Sequence, residues 1–317
     1  MKTVSNMFLG LALADALGVP VEFKSRDYLS QNPVNTMLEY GTHHQSAGTW
    51  SDDSSLTFCL AYSLKNGYSL KDIALKFTQW TYSGMWTPRG RVFDIGIQTR
   101  KSINTLQAIL DSEDYDALKY LKYEADEYTN GNGSLMRILP LLFYIKNKSI
   151  KQQFETIWEV SALTHGHIRS AISCLIYLKF AEYILKGKSI KQAYISTQID
   201  IKQFFKDEEI SEYEKQHFQR LINDDISTLS VDEIKSDGYV ISTLEASFWC
   251  LLTTNSYLEA VFKAINLGDD TDTTATVVGG ISGFYFGLDD VPKKWLDTLA
   301  RKNDILKLSE EFNQTYL

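Results

Sequence analysis

Apolar residues recur at helical spacing along most of this chain. Leu56, Cys59, Leu60 and Leu64 step by three and four and stop at Asn66-Gly67, which predicts a helix closed by a glycine signal. From Trp158 to Leu185, the positions Val160, Leu163, Ile168, Ala171, Leu175, Leu178 and Ile184 hold a similar rhythm as far as Gly187. That stretch reads either as one long helix or as two that meet near His165-Gly166-His167. Phe77–Trp80, Ile103–Leu110, Phe204–Ile222, Leu244–Leu252 and Tyr257–Ile265 are further helical candidates. Alternating β-branched runs are almost absent and prolines number five, so the pattern predicts an all-α fold rather than an α/β sheet.

No Gly/Ser/Pro linker, repeat or low-complexity tract divides the chain, so residues 1–317 are expected to form one compact domain of orthogonally packed helices. The most polar block runs from about residue 187 to residue 238. Its mixed charge signs predict an inserted pair of solvated surface helices rather than an acidic interaction tail. Cys59, Cys174 and Cys250 are odd in number, far apart and each set in an apolar run, as core cysteines of a reducing compartment are. Lys2 followed by MFLGLALA resembles a short secretion signal, yet Gly10, Asp15, Gly18 and Glu22 form a pattern that a discarded peptide does not need. A cytoplasmic protein is therefore expected. No other stretch approaches the ~20 apolar residues of a membrane span, so no membrane partner is expected.

Charge narrows the partners further. The 40 Asp and Glu outnumber the 32 Lys and Arg, giving a formal net charge of −8, with 44% hydrophobic residues. This composition is globular rather than disordered. It lacks the surplus of cations that a nucleic-acid surface needs, so no nucleic-acid binding is expected. Taken alone, it also disfavours an anionic ligand.

Four short segments put Gly, Asp, Asn or Ser where a packed helix does not favour them: Gly10–Glu22, Gly48–Ser55, Asn130–Arg137 and Gly268–Gly287. Each adjoins an apolar helical run, so all four are candidate helix ends facing one cleft. Ser51, Asp52 and Asp53 precede the run that starts near Leu56. An N-cap and the helix dipole account for one carboxylate there. Two carboxylates between hydroxyls are more than a cap uses and make a hard oxygen set suited to Mg2+, so cap and metal both stand on this segment alone.

Asp269, Asp270 and Asp272 crowd together with Thr271 and Thr273 ahead of the small-residue run from Ala275 to Gly287. Carboxylates so close repel one another unless protons or a cation compensate them. Gly279, Gly280 and Gly283 equally suit close helix packing behind an acidic cap. An EF-hand loop is excluded, because its glycine and closing glutamate are missing. Taken with Asp52 and Asp53, the cluster fits a two-metal site. Asn130-Gly131-Asn132-Gly133-Ser134 is a double turn opening onto Leu135–Ile145. Backbone N–H groups of such a turn bind phosphate, although Asn-Gly turns are also common as plain structure.

In their order along nearly the whole chain, these elements resemble the ADP-ribosylglycohydrolase family. They are Gly10, Asp15-Ala-Leu-Gly18 and Glu22; Gly48-Thr-Trp-Ser-Asp52-Asp53-Ser; Phe93-Asp94-Ile-Gly96; Asn132-Gly133-Ser134-Leu-Met136-Arg137 with Pro140; Thr164-His165; Gly238-Tyr-Val with Leu244; and Asp270-Thr-Asp272-Thr273 with Gly280, Gly283 and Gly287. The resemblance implies an all-α fold whose central cleft holds two Mg2+, or Mn2+ in their place. It also implies an enzyme that hydrolyses an N- or O-glycosidic bond to ADP-ribose. The expected partners are ADP-ribose and an ADP-ribosylated protein, met by a monomer.

Residue by residue, the resemblance implies Ser51, Asp52, Asp53, Asp270, Asp272 and Thr273 as metal ligands. It implies Glu22, Asp94 and Asp270 as catalytic carboxylates, with Glu22 near the scissile bond as base or gate. Asp94 looks like the carboxylate that arginine-directed members place near the guanidinium, which favours arginine as the modified side chain. The turn Gly131, Asn132, Gly133 and Ser134 matches the diphosphate-contacting loop, and His165 matches a histidine lining the cleft. Cleft aspartates set against two divalent cations lose most of their charge, so a diphosphate becomes admissible despite the net −8.

The chain departs from the family pattern at Ala14, where Gly is usual, and at Ser51 and Ser54, which replace Thr but keep the hydroxyl. Asp269 stands where Gly is usual and adds a third carboxylate. Apart from the resemblance, Glu22 reads as a solvated glutamate and His165 and His167 as core or surface histidines. His43-His44 is discounted as a metal pair, because imidazoles suit metals other than Mg2+. Trp80, Tyr82 and Trp86 read as core or cleft wall, with one available to stack on adenine.

Two rival classes use the same residues. A non-catalytic ADP-ribose reader, or an immunity protein that binds and blocks an ADP-ribosyltransferase, keeps the cleft without turnover, but the intact ligand set argues against an inert descendant. An Asp-rich Mg2+ site of the terpene-synthase kind is weakened because Asp52-Asp53-Ser54-Ser55-Leu56 lacks a further aspartate.

Overall fold

The structure is a computed structural model that describes residues 4–123 and 125–317. Its frame is α1 (Val4–Gly18), α2 (Asp52–Leu64), α3 (Leu70–Ser83), α4 (Ile97–Ser112), α5 (Ile150–Ala162), α6 (Ile168–Leu185), α7 (Ile190–Asp207), α8 (Val240–Leu252), α9 (Tyr257–Ile265), α10 (Thr271–Phe286) and α11 (Lys302–Tyr316). Shorter helical turns join these helices. No strand forms among the described residues, and the only ladder-like contact there is a single antiparallel bridge between Gly131 and Tyr239. The all-α expectation is met.

Serines start many of these helices. Ser51, Ser69, Ser149, Ser189 and Ser256 each accept a backbone N–H two or three residues on, which satisfies a donor that the first turn leaves free. Gly84 closes α3 in the left-handed conformation.

The centre of the fold is α1 against α10. Helix α1 is buried on every side from Met7 to Gly18, as a helix without a polar face must be. Its glycines let the two backbones touch: a Cβ on Gly10 would lie 2.7 Å from the Gly279 carbonyl oxygen. Tyr257 of α9 locks the crossing by donating its hydroxyl to Gly10 O at 2.6 Å. The segment Val4–Val21 is long and apolar enough to cross a membrane, but 89% of it is buried in the protein, as in a core helix.

The stretch from Trp158 to Leu185 is two helices, α5 and α6, separated by residues 163–167. Two sequence expectations need correction. Phe204–Ile222 is not one helix: α7 ends at Asp207 among acidic residues, and Ser211 caps a new short turn, Glu212–Gln216, before Gln219–Asn223. Nor is the polar block 187–238 a pair of solvated helices. Helix α7 packs on α6 and α8 and buries Ile201, Phe204 and Phe205, while Phe218, Leu221 and Ile226 fill the space beside it. The hydrophobic stripe of α7 is diluted by charged neighbours, which is why its composition looked like surface. The three cysteines are buried and free, as expected.

Candidate active site

Two helix N-termini meet at the C-terminal end of α1. Asp15, inside α1, accepts the Ser51 N–H at 2.8 Å, the Ser54 N–H at 3.0 Å and the Ser54 hydroxyl at 2.6 Å, and so clamps the start of α2. On the other side, Thr271 donates its hydroxyl to Gly18 O at 2.9 Å and fixes the start of α10. The clamps bring Asp52 and Asp53 beside Asp270, Asp272 and Thr273, and the Thr273 hydroxyl donates to Asp53 Oδ2 at 3.3 Å. The Ser51 hydroxyl donates to the same oxygen at 2.8 Å while it accepts the Asp53 N–H. The positive ends of two helix dipoles thus point at the carboxylates.

Burial and mutual repulsion raise the proton affinity of the whole group. Burial pushes the Asp15 carboxyl up to about 6 against the pull of its serine hydrogen bonds. Asp52, Asp53 and Asp272 are held well above the usual carboxylate range by burial and then by one another and their acidic neighbours. Burial also raises Asp270, opposed by its hydrogen bond from Asn132. Asp53 Oδ1 is buried and has no hydrogen-bond partner.

A cation answers each of these observations. Asp15, Asp53 and Asp272 offer oxygens within 4.8 Å of one another, and so do Glu22, Asp270 and Asp272. All these donors are hard oxygens, the set that divalent ions of the Mg2+ and Mn2+ kind prefer, so the residues present fit a metal. Asp269 stands apart. It is exposed, in the left-handed backbone region at φ 58°, and belongs to neither cluster, so the third carboxylate read from the sequence lies outside the site. A left-handed position also accounts for the usual glycine there.

Beside the acidic group lies an open cavity of about 400 Å³, lined by Glu22, Asp52, Asp94, Asn132, His165 and Asp270 among others. That volume suits a small-molecule ligand. Its floor is the turn from Gly131 to Gly133, held by Asn132 N–H donating to Gly238 O at 3.1 Å and Val240 N–H donating to Asn130 O at 3.0 Å. His165 packs so tightly on this turn that a Cβ on Gly133 would lie 2.6 Å from its ring. Burial lowers the His165 imidazole to about 3, with a further push from Arg137, so the ring is neutral. Its Nδ1 shares a hydrogen with the Thr164 hydroxyl at 2.8 Å.

Arg137 is fully buried beneath the turn. Its guanidinium donates to Gly133 O and to the Val160 and Ser161 carbonyls at 3.3 and 3.4 Å. The Ser134 side chain turns into the core beside Cys174 Sγ at 3.6 Å, and Ser134 does not line the cavity, unlike its expected place in the ligand-contacting turn. Trp80 and Trp86 are core residues, Tyr82 is exposed and bonded to Asn104, and none of the three lines the cavity. His167 is the N-cap of α6.

At the other end of the cavity Glu22 meets His43 and Asp94. The carboxylate is 6% exposed rather than solvated, with Oε2 in hydrogen-bond contact with His43 Nε2. Burial lifts Glu22 to about 7; the His43 bond opposes this, and Asp94 and Asp270 add to it. Burial also raises Asp94. The structure therefore brings together the sequence-derived residues Glu22, Asp94, Ser51, Asp52, Asp53, Asp270, Asp272, Thr273, Gly131, Asn132, Gly133 and His165. It adds two that sequence reasoning missed as site members. Asp15 enters the sequence reading only as part of a motif, although a carboxylate within an apolar run is itself a signal; His43 is discounted there as a metal ligand because imidazoles suit metals other than Mg2+, and nothing local ties it to Glu22.

Comparisons with known proteins agree with this architecture. The family model described as ADP-ribosylglycohydrolase matches residues 2–316. The chain is 32% identical to the ADP-ribosylarginine hydrolase Tri1 of Serratia proteamaculans over 320 residues, covering 98% of this chain and 79% of that protein. It is 25% identical to the ADP-ribosyl-[dinitrogen reductase] glycohydrolase of Rhodospirillum rubrum, over 93% of this chain and 89% of that one. A solved structure titled ADP-ribosylglycohydrolase-related protein complex superposes with a TM-score of 0.78 at 25% identity, covering 100% of this chain and 98% of the other.

Proposed function

The chain belongs to the ADP-ribosylglycohydrolase family, and from that premise we propose that it removes ADP-ribose from arginine side chains by Mg2+-dependent hydrolysis of the N-glycosidic bond. The observation that carries arginine is the pair Glu22 and Asp94, two largely buried carboxylates facing the cavity. Such a pair suits a guanidinium and would repel an anionic leaving group. Similarity to proteins named ADP-ribosylarginine hydrolase supports the same choice.

Ser51, Asp52, Asp53, Asp270, Asp272 and Thr273 would hold two Mg2+, with Asp15 completing the carboxylate group behind them. Bound there, such ions supply positive charge that polarises ribose hydroxyls and water. The backbone of the turn from Gly131 to Gly133 binds the diphosphate, and neutral His165 supports that turn. Asp94 holds the guanidinium at the mouth of the cavity. Glu22 takes a proton from the attacking water, whose oxygen bonds to the anomeric carbon as the C–N bond breaks, and passes that proton to the departing guanidine nitrogen, so that arginine leaves as its cation.

The test is release of ADP-ribose from arginine-, serine- and DNA-linked substrates, with Mg2+ and with chelator. Release from arginine alone, abolished by chelator and restored by Mg2+, is expected. Release from serine but not arginine would refute the substrate assignment. Release from none, with tight binding of free ADP-ribose, would identify a reader instead.

A further inference from the structure

We propose that His43 is a positioning residue that holds the Glu22 carboxylate in its working orientation, a role that rests on Glu22 being the proton acceptor. His43 lies in the irregular segment 32–50, well away from Glu22 in sequence, yet the segment is bound to the residues that carry Glu22. Thr42 N–H donates to Pro20 O at 2.9 Å, and the Thr42 hydroxyl donates to Glu22 O at 2.7 Å. Gly41 is pressed onto Pro20 so closely that a Cβ there would lie 1.7 Å from its carbonyl oxygen. Directly after His43 the backbone reverses through left-handed His44, and Gln45 donates its side-chain amide back to His43 O at 2.8 Å. The imidazole is thereby delivered from a fixed backbone.

Its ring is fixed as well. It sits against Phe93 at 5.5 Å and Phe23 at 6.0 Å between ring centroids. Nε2 meets Glu22 Oε2, and both groups have an Asp94 oxygen within 4.8 Å. The contact opposes the repulsion of Asp94 and Asp270, the two carboxylates that act on Glu22 most strongly. The histidine engages one carboxylate oxygen, so the other stays available for water at the anomeric carbon. A displacement of about 1 Å at such a group costs on the order of 100-fold in rate.

The test measures steady-state kinetics of His43→Ala and His43→Gln in the wild-type and Glu22→Gln backgrounds, free ADP-ribose affinity, and the ring 15N resonances of His43. His43→Ala is expected to lower kcat about 10–100-fold with KM and ADP-ribose affinity nearly unchanged. His43→Gln, which keeps a donor, is expected to recover part of that loss. In the Glu22→Gln background His43→Ala is expected to cost nothing further. Equal losses in both backgrounds, or a loss confined to ADP-ribose affinity, would overturn the proposal. The resonances are independent of turnover: Nε2 is expected to shift on Glu22→Gln, and an unmoved Nε2 overturns the contact. A shifted Nε2 in a protein that hydrolyses nothing would leave the contact standing and sink only the assigned reaction.

Discussion

Asn132 donates its side-chain amide to Asp270 Oδ2 at 2.7 Å, so one hydrogen bond joins the glycine-rich turn to the acidic start of α10. The same nitrogen reaches the Thr243 hydroxyl at 2.9 Å, which ties both to α8. A hydrogen bond to a charged group contributes about 1.5–3 kcal/mol. Asn132→Ala is therefore expected to weaken Mg2+ and ADP-ribose binding together by about tenfold or more, because coupling between sites is reciprocal. Calorimetry of each ligand with and without the other checks this; weakening of only one ligand would separate the turn from the metal residues.

Asp52→Asn removes a carboxylate that burial and its acidic neighbours hold well above the normal range. Hydrolysis and Mg2+ binding are expected to be lost. The fold is not, because in the metal-free protein the change relieves repulsion. Thermal melts in chelator should show a Tm equal to or above that of the wild type, and a clear fall in Tm would contradict this account.

The raised carboxylates set a pH dependence. A group whose folded value exceeds its unfolded one adds stability below the unfolded value and loses it as pH rises through the folded one. With Asp15 at about 6 and Glu22 at about 7, the metal-free protein should lose stability between about pH 4 and pH 7. Mg2+ should restore it, so the Tm gain on adding Mg2+ is expected to be larger at about pH 8 than at about pH 5.5. Equal gains at both pH values would remove the repulsion argument.

Arg169 and Glu214 form a two-bond pair, each at 2.8 Å, that joins α6 to the turn Glu212–Gln216. Although burial opposes it, the Arg169 bonds hold Glu214 below its ordinary value. The sign here is opposite: the stability is present above the unfolded glutamate value of 4.5 and disappears as pH falls through the lower folded value. Glu214→Ala strands a mostly buried guanidinium and is expected to cost about 3 kcal/mol, measurable by urea melts.

Gly10→Ala places a methyl group 2.7 Å from Gly279 O, where only backbone can yield. Although alanine favours a helix, overpacking at such a contact costs about 1–3 kcal/mol. A lower Tm is expected, and an unchanged Tm would show that α1 and α10 can slide apart freely.

The elements most legible in the sequence were those whose signal is local. Tyr257–Ile265 was delimited correctly by its helical stripe, and Ser51 caps α2 as its position before the acidic pair suggested. Helix α7 hid its buried stripe among charged neighbours, because each residue's burial depends on α6 and α8 rather than on the block's average composition. The site divided in the same way. The aspartates at two helix starts were visible as chemistry, whereas His43 depends on a loop clamped to Pro20 and Glu22 by contacts that no spacing encodes. Ser134 looked like its neighbours in the turn, and only the position of Cys174 shows that its hydroxyl faces inward.

The pairing of α1 with α10 also sets a schedule for biosynthesis. Between the end of α1 at Gly18 and the start of α10 at Thr271 the ribosome must add most of the chain. At about 5–20 residues per second this takes tens of seconds. Throughout that interval a mostly apolar helix, with Asp15 inside it, lacks its main partner. The nascent chain thus displays a segment of membrane-like length until late in synthesis. The same delay means that the two halves of the acidic site cannot meet before the chain is nearly complete.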